Sequence, residues 1–323
     1  MPLRTHLALL TAGLAAATCL TAAGPAQARA QHACSPSVSL DRFSDALDKT
    51  TYDNTFVGNF SALAVDRDGS LAALSDRSSL FRLDATTLKP RSVTPLTDET
   101  GAELDSEGLV VDRDGTYLVS SETEPSVRRY SRTGAILDRL PVPDDLRVSP
   151  AGRGRPNGTF EGLTLLPDGR TLVASMEYAL SGDPADTVRL QTWKRHGAHF
   201  RLAAQYTYRT DPGLGVPEIQ ATPDGRLLVL ERGFTAGVGN TVRLYLADPR
   251  HGMRKTLLTD LVTCPTLGAT AKQPQPNPLL DNIEGMTITG RAKDRLKVLL
   301  VSDDNQNPAQ TTRFYSLRVR ASA

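Results

Sequence analysis

The sequence predicts an all-β fold, a β-propeller of five or six four-stranded blades. Three observations predict it. A two-strand pattern recurs five times, its starts lying 46, 54, 57 and 66 residues apart. Four of the five copies turn through an Asp-Gly pair, a strong hairpin signal. The composition is turn-rich, with 25 glycines and 21 prolines in 323 residues, and at 39% hydrophobic it suits a packed globular chain.

The elements follow in chain order. Residues 1–30 read as a secretory signal peptide: Arg4, then LALLTAGLAAATCLTAAG, then the small-residue sites AQA (26–28) or ARA (28–30). Thr and Gly interrupt this stretch, and it is short for a bilayer span. The expected product is residues 31–323, one secreted domain with no membrane attachment after cleavage. Removing Arg4 and Arg29 leaves 35 basic against 36 acidic side chains, and the whole chain has 37 against 36. Neither balance supplies the basic field that nucleic acid requires, and a monomer is expected. Cys34 and Cys264 then remain, and an oxidising compartment favours a disulfide tying the mature N-terminus to the late loop VTCPTLG.

The five copies start at Ser61 (SALAVDRDGSLAALSD), Glu107 (EGLVVDRDGTYLVSSE), Glu161 (EGLTLLPDGRTLVASME), Glu218 (EIQATPDGRLLVLE) and Glu284 (EGMTITGRAKDRLKVLLVSD). Each is an apolar strand, a turn, a second apolar strand and an acid. SVRRYSR, TVRLQTWKR, TVRLYLAD and TRFYSLRV alternate apolar with polar residues, as half-exposed third strands should. AILDRLPV, FRLAAQYTY and RKTLLTDLV supply fourth strands, while PDDLRVSPAGRGRPNG and KQPQPNPLLDN read as loops between blades. A sixth blade could be built from residues 35–60 with the insertion at 263–281.

In a propeller the first strand of each blade lines the central channel and the second returns beside it. The start of one and the end of the other therefore share a rim. The starts carry Ser61, Glu107, Glu161, Glu218 and Glu284, and the ends carry Asp76, Glu122, Glu177, Glu231 and Asp303. Nine of these ten are acidic. Converging carboxylates repel one another unless solvated, protonated, paired or bound to a cation. A site of oxygen donors without softer ligands suits a hard cation, Ca²⁺ before Mg²⁺. Glu107, Glu161, Glu218, Glu284, Asp303 and Asp76 are the candidate ligands, with Glu122, Glu177 and Glu231 as candidate catalytic carboxylates. Arg77 and Arg232 directly follow acids and are the candidates for gripping an anionic substrate. The competing reading has each acid capping turn amides. His196 and His199 in KRHGAHF lie on a loop-like stretch and make a poor zinc site. G-x-S-x-G and P-loop patterns are absent.

At SEGLVVDRDGTYLVSSE, FEGLTLLPDGRTLVASME, PDGRLLVLER followed by NTVRLYLAD, and IEGMTI…LLVSDDN, the chain resembles the phytase-like family, "esterase-like activity of phytase". The resemblance runs from about Asn59 to Val319. The family's first repeat reads S-G-L, where this chain has Ala62 for the glycine. The resemblance implies an exported propeller, similar in architecture to calcium-dependent propeller phytases, and hydrolysis of phosphate or other esters. The expected substrate is therefore a small anionic ester. A non-catalytic secreted propeller that binds a cell-surface or carbohydrate partner is the alternative, as is a lactonase-like propeller.

Overall fold

The computed structural model describes residues 32–321, so the signal-peptide reading of residues 1–30 lies outside the described residues. The chain opens with β1 (Val38–Ser44) and a two-stranded hairpin, β2 (Thr50–Tyr52) and β3 (Thr55–Val57). Four sequential blades follow. Blade 1 is β4 (Phe60–Val65), β5 (Leu71–Ser75), β6 (Ser79–Leu83) and β7 (Pro90–Pro95); blade 2 is β8 (Ser106–Val111), β9 (Tyr117–Ser121), β10 (Ser126–Tyr130) and β11 (Ile136–Arg139). Blade 3 is β12 (Phe160–Leu165), β13 (Thr171–Met176), β14 (Thr187–His196) and β15 (His199–Arg209); blade 4 is β16 (Gly215–Ala221), β17 (Leu227–Thr235), β18 (Gly239–Asp248) and β19 (Arg254–Asp260). Blade 5 contains β20 (Ile283–Ala292), β21 (Arg295–Ser302) and β22 (Phe314–Val319), and its outermost strand is β1.

The count is therefore five blades. The stretch offered for a sixth is used otherwise: β1 pairs antiparallel with β22, Val38 opposite Val319, and closes the ring. Residues 263–281 carry no strand beyond the end of a short 3-10 turn at Leu261–Thr263. The cysteine expectation holds, since Cys34 and Cys264 form a disulfide just before β1.

The hairpins form where Asp-Gly directs them. Gly69 and Gly115 adopt φ of +80° and +86°, in the left-handed region where a side chain is strained. The apolar faces pack between neighbouring blades. Phe60 of blade 1 meets Phe81 of its own blade and Phe314 of blade 5, both edge-on, and Phe160 meets Trp193 within blade 3. The third strands β10, β14 and β18 are more buried than the half-exposed expectation, β10 most of all. All of β10 is buried, because Arg128 is enclosed by Glu99 (Nε–Oε1 3.1 Å) and Arg129 by Thr116 and Asp112. Pairing lets these guanidinium groups leave water.

Candidate functional site

The innermost strand of every blade is bulged near its start, with register shifts at Phe60/Ala62, Ser106/Leu109, Phe160/Leu163, Gly215/Glu218 and Ile283/Gly285. A bulge re-aims the side chains around it. The glycine of each Glu-Gly doublet has a packing reason. A Cβ on Gly108 would lie 2.4 Å from the Glu161 carbonyl oxygen, and one on Gly162 would lie 2.5 Å from the Ile219 nitrogen. Adjacent first strands thus approach too closely for a side chain, and the preceding glutamates are gathered at one mouth.

Equivalent positions follow from the hairpin pairs Val65–Leu71, Val111–Tyr117, Leu165–Leu172, Ala221–Leu227 and Ile288–Val298. Four residues before the first member of each pair stand Ser61, Glu107, Glu161, Pro217 and Glu284. Five residues after the second member stand Asp76, Glu122, Glu177, Arg232 and Asp303. Blade 4 therefore differs from the sequence alignment by one residue on both strands. A one-residue slip turns a strand's side chain to the opposite face.

That slip removes two expected members from the ring. Glu218 occupies the position held by Gly108 and Gly162. Its buried carboxylate accepts N–H groups from Ile219, Leu163 and Met286, and so pins together the first strands of blades 3, 4 and 5. Burial raises its pKa well above the usual carboxylate range against those hydrogen bonds. Glu231 points away from the mouth. It accepts from Tyr208 Oη at 2.6 Å, from the Asp211 amide at 2.8 Å and from Lys255 Nζ at 2.5 Å, fully buried. Its surroundings are those of a structural ion pair. Arg77, the other candidate arginine, has a side chain 63% exposed and lies 3.8 Å from Asp76.

The remaining acids converge. Ligand atoms of Asp105, Glu107 and Glu122 lie within 4.8 Å of one another, as do those of Glu122, Glu161 and Glu177, so Glu122 belongs to both groups. Asp105, just ahead of β8, was not anticipated from the repeats; its only sequence signal is its place two residues before Glu107. On the other side of the ring Arg232 Nη2 lies 3.1 Å from Glu177 Oε1 and 3.1 Å from Glu284 Oε1. Asn282 Nδ2 donates to Glu284 Oε1 at 3.0 Å and to Asp303 Oδ2 at 3.4 Å. Asp304, next in the chain, is used structurally instead, accepting the Asn59 amide and pairing with Lys49.

Against the seven carboxylates of the ring (Asp76, Glu107, Glu122, Glu161, Glu177, Glu284 and Asp303), the guanidinium held between two of them is that of Arg232, while the exposed Arg77 lies 3.8 Å from Asp76. Burial first, then mutual repulsion, pushes Glu107 and Glu161 well above the usual range, with Glu284 acting on the first and Glu107 on the second. Burial with Glu284 does the same for Asp303. Burial raises Glu177 and Glu284 to about 7, with Arg232 opposing in each case. Burial, assisted by Asp303, raises Asp76 to about 7. Such a ring must hold protons or a cation, and its buried carboxylate groups could hold a metal ion. All donors are oxygens, with no His or Cys among them, so the residues fit a hard cation.

The chain is similar to several known proteins. The family model "Phytase-like: Esterase-like activity of phytase" matches residues 55–306. An uncharacterized secreted protein of Arthroderma benhamiae is 28% identical over 180 residues, covering 42% of this chain; the match spans only about a third of that relative, 35% of its length. Among solved structures, a gluconolactonase of Xanthomonas campestris aligns with a TM-score of 0.46 at 15% identity, covering 81% of this chain and 73% of its own. A protein of unknown function from Bacteroides caccae aligns with a TM-score of 0.37 at 11% identity, covering 73% and 68%.

Proposed function

This chain belongs to the phytase-like family, and from that premise we propose that it is an exported, metal-assisted hydrolase of an anionic ester, a phosphomonoester above all. The observation that carries the reading is the imbalance at the channel mouth: six buried carboxylates and the half-buried Asp76, with Arg232 the buried guanidinium among them and Glu122 common to two groups of metal-binding geometry. A disulfide and the relative named as secreted support export.

Ca²⁺ is the cation we propose, held by Glu107, Glu122 and Asp105 on one side and by Glu161 and Glu177 on the other. Asp76, Glu284 and Asp303 complete the rim. Bound there, the ion would offset the negative field, receive the ester's anionic oxygens and favour a water nucleophile.

The chain's own groups divide the remaining tasks. Glu177, with its carboxyl raised to about 7, is suited to exchange a proton near neutral pH. Glu122 stands within hydrogen-bonding reach of Glu161, so the pair can retain a proton between them when no cation is present. Arg232 is held between Glu177 and Glu284, and its Nε has no protein partner. The guanidinium fork is therefore fixed in place before substrate arrives, with one N–H left unsatisfied inside the site. Glu231 and Glu218, satisfied elsewhere, take no part in this reading.

The test is turnover of 4-nitrophenyl phosphate and of phytate with Ca²⁺ and with chelator. Chelator-sensitive hydrolysis is the expected result. No hydrolysis of any ester under either condition overturns the reading, and a saturating Ca²⁺-dependent rise in melting temperature without turnover would leave a metal-stabilised binding propeller.

A further inference from the structure

Beside the ring lies a second feature, whose amide wall the metal-assisted reading does not use. A cavity of about 390 Å³ opens over Arg232 and Glu284 and is walled by amides: Asn240, Gln273, Asn282 and Asn305. Its volume is that of an ordinary small-ligand site. Asn240 is 1% exposed, yet neither its Oδ1 nor its Nδ2 has a protein partner. Leaving a buried carboxamide unpaired is costly, and a protein normally avoids it. The residue is also held firmly, its backbone N–H donating to Gln275 Oε1 at 2.8 Å. Directly across the β17–β18 ladder stands Phe234, 56% exposed. Opposed residues project on the same face, so an apolar ring sits beside the unpaired amide.

We propose that this cavity binds a neutral, polyhydroxylated group, a glycosyl or similar polyol, and that this group is the non-reacting part of the ester substrate. A carboxamide offers one acceptor and two donors, as a pair of neighbouring hydroxyls does in complement. The C–H face of a sugar ring would lie on Phe234. An anionic occupant is disfavoured, because Arg232 already answers two carboxylates and Glu284 shares the wall. The assignment of the group to a substrate rests on the hydrolase reading; the binding of the group does not.

The experiment titrates the chain, in chelator and without metal, with the methyl glycosides of glucose, galactose, mannose and N-acetylglucosamine. At least one is expected to bind with a dissociation constant of about 10 mM or tighter, and Asn240→Ala and Phe234→Ala are each expected to weaken it about tenfold or more. Phe234 is exposed, so its variant keeps the test decisive if Asn240→Ala fails to fold. Absence of binding by every glycoside, or wild-type affinity in the folded variants, overturns the proposal. Ester turnover with no glycoside binding would remove this proposal alone. Glycoside binding without turnover would remove the hydrolase reading and leave the cavity as a saccharide site.

Discussion

Arg232 reaches Glu177 across a blade boundary, its Nη2 3.1 Å from Glu177 Oε1, and it does so from the ring position that carries a carboxylate in each of the other four blades. The same nitrogen meets Glu284. One blade thus supplies the positive charge that lets its two neighbours bury glutamates. Arg232→Gln should take the guanidinium away from both buried carboxylates and cost about 3 kcal/mol in metal-free protein at neutral pH, seen as a fall in melting temperature of several degrees. Added Ca²⁺ should recover part of the loss. An unchanged melting temperature would show that the pair contributes nothing net.

Glu122 and Glu231 were equivalent candidates by sequence and should behave differently. Glu122 belongs to both carboxylate groups, so Glu122→Gln should weaken the Ca²⁺-dependent melting shift about tenfold or more in apparent affinity. Glu231→Gln breaks a buried contact with Lys255 and should lower stability by about 3 kcal/mol while leaving the Ca²⁺ midpoint in place. The comparison needs only thermal melts across a Ca²⁺ series. Equal Ca²⁺ midpoints for the two variants would mean the groups around Glu122 are not where the cation binds.

The pH dependence of the metal-free protein has a definite sign. Asp76, Glu177 and Glu284 are raised to about 7 in the folded state, by burial in each case, from ordinary values of 3.8 for Asp and 4.5 for Glu. Between those values and 7 the folded chain binds more protons than the unfolded one, so stability falls as pH rises through that window. Chelated protein should therefore melt at a higher temperature near pH 5 than at pH 7.5, and Ca²⁺ should flatten the difference by replacing protons at the ring. Chelated protein that is more stable at pH 7.5 than at pH 5 would contradict the buried, metal-free carboxylate ring.

Much of this was legible from local signals. The Asp-Gly turns and the recurring apolar pairs indicated the blades, and Glu-Gly at 107, 161 and 284 indicated the mouth, because a packed glycine and a projected glutamate arise from one bulge. Blade 4 carries Glu-Ile at 218–219 in place of Glu-Gly, and that missing glycine was the visible sign that its frame had moved by one residue. Counting from its turn would have exchanged Glu231 for Arg232. The fifth and last blade was visible only in part, for a different reason. Its outer strand comes from the other end of the chain, and pairing between Val38 and Val319 has no signature in local periodicity. The unpaired Asn240 was equally invisible, since hydrogen-bond satisfaction is a property of the packed state.

Ring closure itself rests on that distant pairing, and the disulfide should reinforce it. Cys34 is joined to Cys264 four residues before β1 begins, and the same junction carries Thr263 Oγ1 donating to the Cys34 carbonyl at 2.7 Å and Ser35 Oγ donating to the Leu258 carbonyl at 2.6 Å. The bond closes a segment of 230 residues, a long loop whose restriction in the unfolded chain favours the folded ring. Cys34→Ser should cost about 2–5 kcal/mol. Reductant should lower the melting temperature of the wild type towards that of the variant and leave the variant itself unmoved. If the variant melts with the wild type, the hydrogen bonds and the β1–β22 ladder suffice to hold the ring, and the disulfide contributes no measurable stability.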